Sequence, residues 1–264
     1  MDIYPNAYYN FLKDRKSGYR AYKAKVQCKI VETFHDSEGT WGYRMIHDYL
    51  VKAPFGIMLS DQTFYKYMHE LGLQAIGHRQ KYHYCKGERH KIFPNLLNQN
   101  FDVSKPNRVW ATDFTYLKTD DGLTRYNCTI IDLYDRMVVA SLNGPNIDAD
   151  LAIRTLAIAI KKYNPKKGLI LHSDQGTQFT SAEFVKFCKL NKIQQSMSRA
   201  GCPYDNAPME RFYNTLKNDY YYLHRFHNEY ELENGIYEFI LKYNYKRPHR
   251  HNNGLTPAEA RRIA

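Results

Sequence analysis

Three acidic residues stand at positions where they could hold divalent metal ions. Asp113 lies within TDFTY, a segment rich in β-forming residues in which an acid is poorly favoured unless it has a use. Asp174 ends the apolar run LILHSD, and Glu210 follows it with 35 residues between them. Because Mg²⁺ prefers carboxylate oxygens that converge from separate elements, the three acids indicate two-metal phosphoryl transfer.

Each of these acids has a simpler interpretation when it is taken alone. An isolated aspartate in a strand is often an edge or turn residue, and a glutamate in the first turn of a helix complements the helix dipole. The combination of the three acids and their spacing favours the catalytic interpretation.

The segments that must position these acids predict a sheet flanked by helices. The predicted elements are, in order, strands 108–118, 125–135 and 136–142, helix 148–163, strand 168–174, helix 181–192, strand 193–198 and a helix that begins near Asn206. Three antiparallel strands followed by α-β-α-β-α are typical of a ribonuclease-H-like α/β core with a mixed five-stranded sheet. Asn206 is predicted to cap the last helix through the amide of Met209.

The first part of the chain predicts a small all-α, helix-turn-helix-like domain. Val26 and Ile30 recur at helical spacing, and SEGTWG (37–42) breaks that helix. Ser60 is placed to cap a further helix, which Gly72 ends. Short helices in a basic protein suit contact with DNA, and a purely structural bundle is the alternative.

A basic segment follows, in which cations alternate with aromatic residues. Its cations suit a phosphate backbone, and the alternative is an exposed linker. The candidate DNA-binding residues in it are Arg79, Lys81, Lys86 and Arg89. Zinc binding by this segment is a weaker alternative. The spacing of its candidate ligands matches no familiar zinc site. Those ligands are His78, His83, Cys85 and His90. The predicted regions are 1–77 helical, 78–107 basic linker, 108–222 catalytic core and 223–264 a C-terminal helix and basic tail.

Charge and cysteine usage limit the class of protein. The formal net charge of +11 at pH 7 attracts polyanions, of which nucleic acid is the common one, although a basic surface without a partner is also possible. The five cysteines are widely spaced, which favours a reducing cytoplasm over a disulfide framework. Since no run approaches about 18 apolar residues, no membrane span is expected.

The long acidic motifs carry a resemblance that covers nearly the whole chain. The motifs are WGYRMIHDYL (41–50), WATDFTYL (110–117), HSDQGTQF (172–179), DNAPMERFYNTLK (205–217) and YNYKRPHRHNNGLTPAEA (243–260). They resemble the downstream reading-frame product (OrfB) of bacterial insertion-sequence transposases of the IS-three family, which have a retroviral-integrase-type core.

The resemblance implies a set of site residues and partners. It implies that Asp113, Asp174 and Glu210 bind two Mg²⁺ ions, with Mn²⁺ as a substitute. It also implies a basic residue seven positions after the glutamate; Lys217 stands there and shares a helix face with Glu210. Lys217 is expected to contact DNA, the alternative being a solvated lysine. Further family positions are occupied by Asn206, His172 and Gly176, expected to shape the site, and by Gln178, expected to contact DNA.

The implied activity is DNA transposition. One strand is hydrolysed at the end of the element, and the freed 3′-hydroxyl attacks another strand. The expected partners are double-stranded DNA at element ends and target, further copies of the chain, and the upstream-frame product of the same element. That upstream product carries a leucine zipper in the family, and no such heptad run is present here. A nuclease that cuts without joining and a regulator that binds without cutting are the alternatives, and a bacterial, nucleoid-associated location is expected.

Overall fold

The computed structural model describes residues 9, 16–52, 54–76 and 92–264, which divide between two compact units, 1–77 and 78–264. The basic segment that carries Arg79, Lys81, Lys86 and Arg89 lies outside the described residues, as does the candidate zinc cluster. Within the described ranges, every helix is too short or too polar to cross a bilayer.

Within the described residues, the first unit forms a three-helix arrangement. Its helices are α1 (Ser17–Asp36), α2 (Tyr43–Leu50) and α3 (Asp61–Glu70). They enclose one apolar cluster, whose buried members are Val26, Ile30, Phe34, Ile46, Leu50, Phe64, Tyr67 and Met68. The predicted cap is confirmed, since the Ser60 side chain accepts a hydrogen bond from the amide of Thr63. Gly72 follows α3 with a φ of +68°, a conformation that glycine adopts without strain.

A histidine joins two of these helices. His47 of α2 contacts the main-chain carbonyl of Leu59 through Nε2 at 2.9 Å, just before α3 begins. Its Nδ1 lies 3.1 Å from carboxylate oxygens of both Asp48 and Asp61. These contacts fix the start of α3 against α2, as the compact turn of a helix-turn-helix-like unit requires.

The second unit is built on a mixed five-stranded sheet in the order β3-β2-β1-β4-β5. Its strands are β1 (Val109–Lys118), β2 (Thr124–Asp132), β3 (Val138–Gly144), β4 (Ile170–Ser173) and β5 (Gln194–Met197). The first three strands pair antiparallel, and β4 and β5 run parallel to β1. This is the predicted ribonuclease-H-like sheet.

Helices cover both faces of the sheet. They are α4 (Ala149–Tyr163), α5 (Thr177–Thr180), α6 (Ala182–Leu190), α7 (Ala207–Asp219), α8 (Glu229–Tyr245) and α9 (Pro257–Arg262). Successive β1 residues point to opposite faces. Trp110 therefore packs with α4 and α6 in one cluster, whereas Ala111 and Leu117 pack with α7 and α8 in the other.

The boundary between β2 and β3 differs from the predicted one. The strands were expected over 125–135 and 136–142, but β2 ends at Asp132 and β3 begins at Val138. Polar side chains bind the main chain between them, since Asp132 accepts from the amide of Tyr134 and Asp135 accepts from that of Met137. These local bonds compete with strand pairing, and they form the turn.

The C-terminal region packs against the sheet. Helix α8 contributes Leu232, Ile236, Phe239 and Tyr243 to the same cluster as α7. Helix α9 begins with a capping box at Thr256 and is held to the sheet by Arg261. The sequence pattern had indicated a helix and a basic tail here, without these contacts.

Candidate active site

Strand pairing brings Asp113, in the middle of β1, beside Asp174, which directly follows the neighbouring strand β4. Ala111 of β1 pairs with His172 of β4 in parallel register, and the two aspartates lie two residues further along each strand. Asp113 accepts a hydrogen bond from the amide of Phe114 at 2.7 Å. Asp174 accepts one from the amide of Gly176 at 2.9 Å. By strand alternation, Asp113 faces the side of the sheet that α7 covers.

Glu210 reaches this side of the sheet from the first turn of α7. A 3₁₀ turn (Pro203–Asn206) leads directly into the helix. The predicted cap at its start is wrong, because the side chain of Asn206 makes no capping hydrogen bond. Asn206 ends the 3₁₀ turn with φ −123° and ψ 29°, outside the extended conformation that a cap adopts. Its amide instead points to β1, with Nδ2 3.5 Å from the carbonyl oxygen of Thr112.

The charges of Asp174 and Glu210 both act on the Asp113 carboxyl group. Burial raises the pKa of the Asp113 carboxyl well above its usual range, and the charges of Asp174 and Glu210 raise it further. Burial also raises the pKa of Asp174 and that of Glu210. The arrangement therefore disfavours three ionised carboxylates in the absence of added positive charge.

Lys217 supplies a cation beside this group. Its side chain is only 6% exposed, and Nζ lies 4.4 Å from the centre of the Tyr116 ring. Burial lowers the pKa of Lys217, whereas the Asp113 charge opposes that shift. The same attraction lowers the pKa of Asp113. Lys217 is thus a buried neighbour of the acids and not a solvated helix lysine.

Tyr213 connects α7 to the strand that carries Asp113. Its hydroxyl lies 2.6 Å from the main-chain oxygen of Asp113 and 3.0 Å from that of Asn127, and it accepts from the amide of Thr129. The residue is buried. Glu210, Tyr213 and Lys217 follow helical spacing along one face of α7. That spacing was a usable signal, but the sequence analysis did not select Tyr213.

Residues after Asp174 form a tight supporting loop. A Cβ on Gly176 would lie 2.2 Å from Nε2 of Gln178, so a larger residue would displace that side chain. Gln178 itself is buried, with 8% exposure. The expected DNA contact of Gln178 stays a prediction, while its observed position is over the loop backbone.

His172 is buried beneath the acids. Its Nδ1 lies 2.9 Å from the hydroxyl of Ser196, and its Nε2 lies 2.8 Å from the main-chain oxygen of Asp205. Burial lowers the pKa of His172, which favours the neutral ring. Because only a protonated nitrogen can donate to a carbonyl, Nε2 carries the hydrogen. His172 therefore links β4, β5 and the turn before α7.

Family models match most of the chain. Models described as "Integrase core domain" match residues 103–203 and residues 191–257. A model described as "HTH-like domain" matches residues 22–82. These matches cover both the sheet unit and the three-helix unit described above.

Curated relatives match this chain over most of its length. The transposase for insertion sequence element IS904 of Lactococcus lactis is 38% identical over 223 residues, which are 84% of this chain and 87% of the relative. The transposase InsK for IS150 of Escherichia coli, named as putative, is 34% identical over 238 residues, 90% of this chain and 83% of the relative. A 31 kDa protein of insertion element IS600 from Shigella sonnei is 32% identical, with 97% and 94% coverage.

A solved structure supports the fold. The chain is similar to one from the simian T-cell lymphotropic virus intasome, with a TM-score of 0.51, 17% identity, and coverage of 77% of this chain and 67% of that one. At this identity the likeness concerns the fold alone. The relatives and the family models carry the assignment: the chain belongs to the insertion-sequence transposases with an integrase core domain, as a downstream reading-frame product of the IS-three family.

Proposed function

We propose that this transposase cleaves DNA at the ends of a mobile element and joins the freed 3′-hydroxyl to another strand, with Asp113, Asp174 and Glu210 as its catalytic carboxylates. The observation that carries the proposal is their convergence. Asp113 in the middle of β1 lies beside Asp174, which directly follows β4, and Glu210 comes from the first turn of α7. Burial raises the pKa of all three carboxyl groups, and the charges of the other two acids raise that of Asp113 further, a cost that a bound cation would relieve.

The donor set fits divalent metal ions. Carboxylate oxygens from separate elements are the ligands of Mg²⁺, and we propose two Mg²⁺ ions with Mn²⁺ as a substitute. When bound, such ions activate the attacking oxygen and stabilise the leaving oxygen of an in-line displacement. Asp113, Asp174 and Glu210 would hold these ions, and Asp113 is the carboxylate on which the charges of both other acids act.

The remaining residues orient the acids and the DNA. Glu210 is itself exposed at the start of its helix, where DNA can approach it. Lys217 places a positive charge next to Asp113, and we propose that it contacts a phosphate beside the site. We propose that His172, Gly176 and Asn206 hold the backbone around the acids in place.

We also propose partners for this chemistry. Double-stranded DNA, as element end and as target, is the substrate, and the reaction requires at least two copies of the chain to hold both ends. The upstream-frame product of the same element is a further proposed partner. The setting would be the bacterial nucleoid, because the named relatives are transposases of bacterial elements.

A strand-transfer assay tests the proposal. Purified protein, labelled element ends and Mg²⁺ should give both a cleaved strand and a joined product, and chelation of the metal should abolish both. Cleavage without joining would favour a nuclease. Binding without either product would favour a regulator. Either of these two results would contradict the proposal.

The basic segment gives a separate prediction about binding. Neutral substitutions of Arg79, Lys81, Lys86 and Arg89 should weaken DNA binding and flatten its salt dependence, because fewer counterions are released. The slope of log K against log salt should fall by about 0.9 for each lost phosphate contact. An unchanged slope would leave these residues in a linker that does not contact DNA.

A further inference from the structure

A fourth acid lies within the last motif and has a different environment from the other three. Asp205 stands five positions before Glu210 and is completely buried. Its Oδ1 accepts from Gln99 Nε2 at 2.8 Å and from Arg199 Nη2 at 2.9 Å. Its Oδ2 accepts from Asn95 Nδ2 at 3.0 Å and from Nε and the amide of Arg199, both at 2.9 Å.

Five hydrogen bonds occupy this carboxylate. A carboxylate offers about four lone-pair sites, so Asp205 has no free oxygen for a metal ion or for DNA. The contacts to Arg199 also hold the pKa of the Asp205 carboxyl below its usual range, which keeps it ionised. Asp205 is therefore an anchor for the chain around it rather than a metal ligand.

The anchor joins segments that are distant in sequence. Asn95 and Gln99 lie more than 100 residues before Asp205, in the stretch that follows the basic segment. Arg199 follows β5. The main-chain carbonyl of Asp205 accepts a hydrogen bond from His172, which lies two residues before Asp174. All of these contacts meet in the 3₁₀ turn that leads into α7.

We propose that Asp205 is a positioning residue for Glu210, because it fixes the turn from which α7 starts and so sets where the Glu210 carboxylate meets a metal ion. Glu210 lies in the first turn of α7, so a small change in the preceding turn moves it directly. Through Asn95 and Gln99, the same contacts tie the chain that precedes β1 to the position of Glu210.

The inference rests on the proposed function, and metal dependence is the property that tests it. In metal sites, loss of a group that orients a ligand typically costs about 10–100-fold in metal affinity. A purely structural role would lower stability without changing metal affinity below the unfolding temperature.

The experiment compares Asp205→Asn with Asp135→Asn. Asp135 is also completely buried and also pairs with an arginine, but that arginine is Arg261 of α9. Two quantities are measured for each variant, the first of them below its own unfolding temperature. The first is the Mg²⁺ concentration for half-maximal joining of a pre-cut end. The second, without DNA, is the rise in melting temperature with added Mg²⁺ or Mn²⁺.

Asp205→Asn should raise the half-maximal Mg²⁺ concentration by about tenfold or more and reduce the metal-induced rise in melting temperature. Mn²⁺ should restore part of the joining. Asp135→Asn should change neither metal property, even though it lowers stability. An unchanged metal requirement in Asp205→Asn, or an equal change in both variants, would overturn the inference.

If Asp205→Asn does not fold, the milder variant Gln99→Asn tests the same inference. Gln99 is exposed and has a φ of +63°, a conformation that asparagine tolerates. Gln99→Asn shortens the side chain and leaves the Arg199 pair intact, so it should raise the metal requirement by a smaller factor. No change in that requirement would contradict the inference. A wild-type protein without metal-dependent joining would instead contradict the proposed function.

Discussion

Two groups of acids lie in the same sheet unit, and they have different partners. Asp113 and Asp174 receive hydrogen bonds from neighbouring main-chain amides, and Glu210 adds a third carboxylate from α7. Asp132 and Asp135 stand at the turn after β2 and are fully buried.

The second group contains its own counter-charge. Arg261 of α9 donates to Asp132 at 2.5 Å and to Asp135 at 2.6 Å. The amide of Asn107 adds a bond to Asp132 at 2.7 Å. Buried charges persist in proteins when they are paired and hydrogen-bonded, so this group needs nothing from outside. The first group lacks an equivalent arginine among its described contacts, which suits a site that binds cations.

The largest expected effect comes from the first group. Asp174→Asn should reduce cleavage and joining by roughly 10²–10³-fold or more. The reason is that it removes a proposed ligand of the metal ions that would stabilise charge on the reacting phosphate. DNA binding should stay similar or tighten, since one negative charge is lost. Both are measured with labelled element ends in Mg²⁺, the binding by titration and the products on denaturing gels.

The stability of Asp174→Asn should not fall with its activity. The ionised form of Asp174 is disfavoured by burial, so a neutral amide should leave the free energy of unfolding at pH 8 unchanged or higher. Near-wild-type strand transfer by Asp174→Asn would remove that residue from the proposed site and end the contrast between the two groups.

The second group should show a large effect on stability. Arg261→Met leaves two buried carboxylates without their cation, and breaking such a pair costs about 3–5 kcal/mol. Urea unfolding at pH 8 measures the loss. Arg262→Met, the neighbouring exposed residue on α9, is the matched control and should change stability by less than about 0.5 kcal/mol.

The same variant should show a defined pH dependence. Burial and the Asp135 charge raise the pKa of Asp132 from 3.8 to about 6 in the folded protein. A raised folded pKa means that the folded state holds the proton more tightly, so this group's contribution to stability falls as pH rises from about 4 to 6. Without Arg261 the folded pKa should rise further, and Arg261→Met should lose less stability at pH 5 than at pH 8. An equal loss at both pH values would contradict this account.

The smallest expected effect concerns the cation beside the first group. Lys217→Ala should reduce joining about 10–100-fold, since a hydrogen bond to a charged group contributes about 1.5–3 kcal/mol. Lys217→Arg should retain part of the activity, although its planar group cannot occupy the same position. Joining of a pre-cut 3′ end at several salt concentrations measures both variants. Wild-type rates for Lys217→Ala at every salt would limit Lys217 to a packing role against Tyr116.

Local sequence patterns were sufficient for much of the fold and for the choice of acids. The Ser60 cap and the start of α4 at Asp148 follow from side chains that reach amides three residues away. The succession of strands and helices along the chain follows from alternating and helical periodicity. The acid candidates follow from their types, their spacing and the motifs around them.

Only the tertiary structure decided which acids are satisfied by the protein itself. Asp205 lies inside the same motif as Glu210, yet its partners Asn95 and Gln99 come from more than 100 residues away. Asp132 is neutralised by Arg261, 129 residues further along the chain. Helical and strand periods describe neighbours within about four residues, whereas the state of a buried carboxylate depends on whichever charge the fold places beside it. For that reason the sequence could propose the acids of this transposase, but only the packed chain distinguishes the carboxylates paired with arginine from those proposed to bind cations.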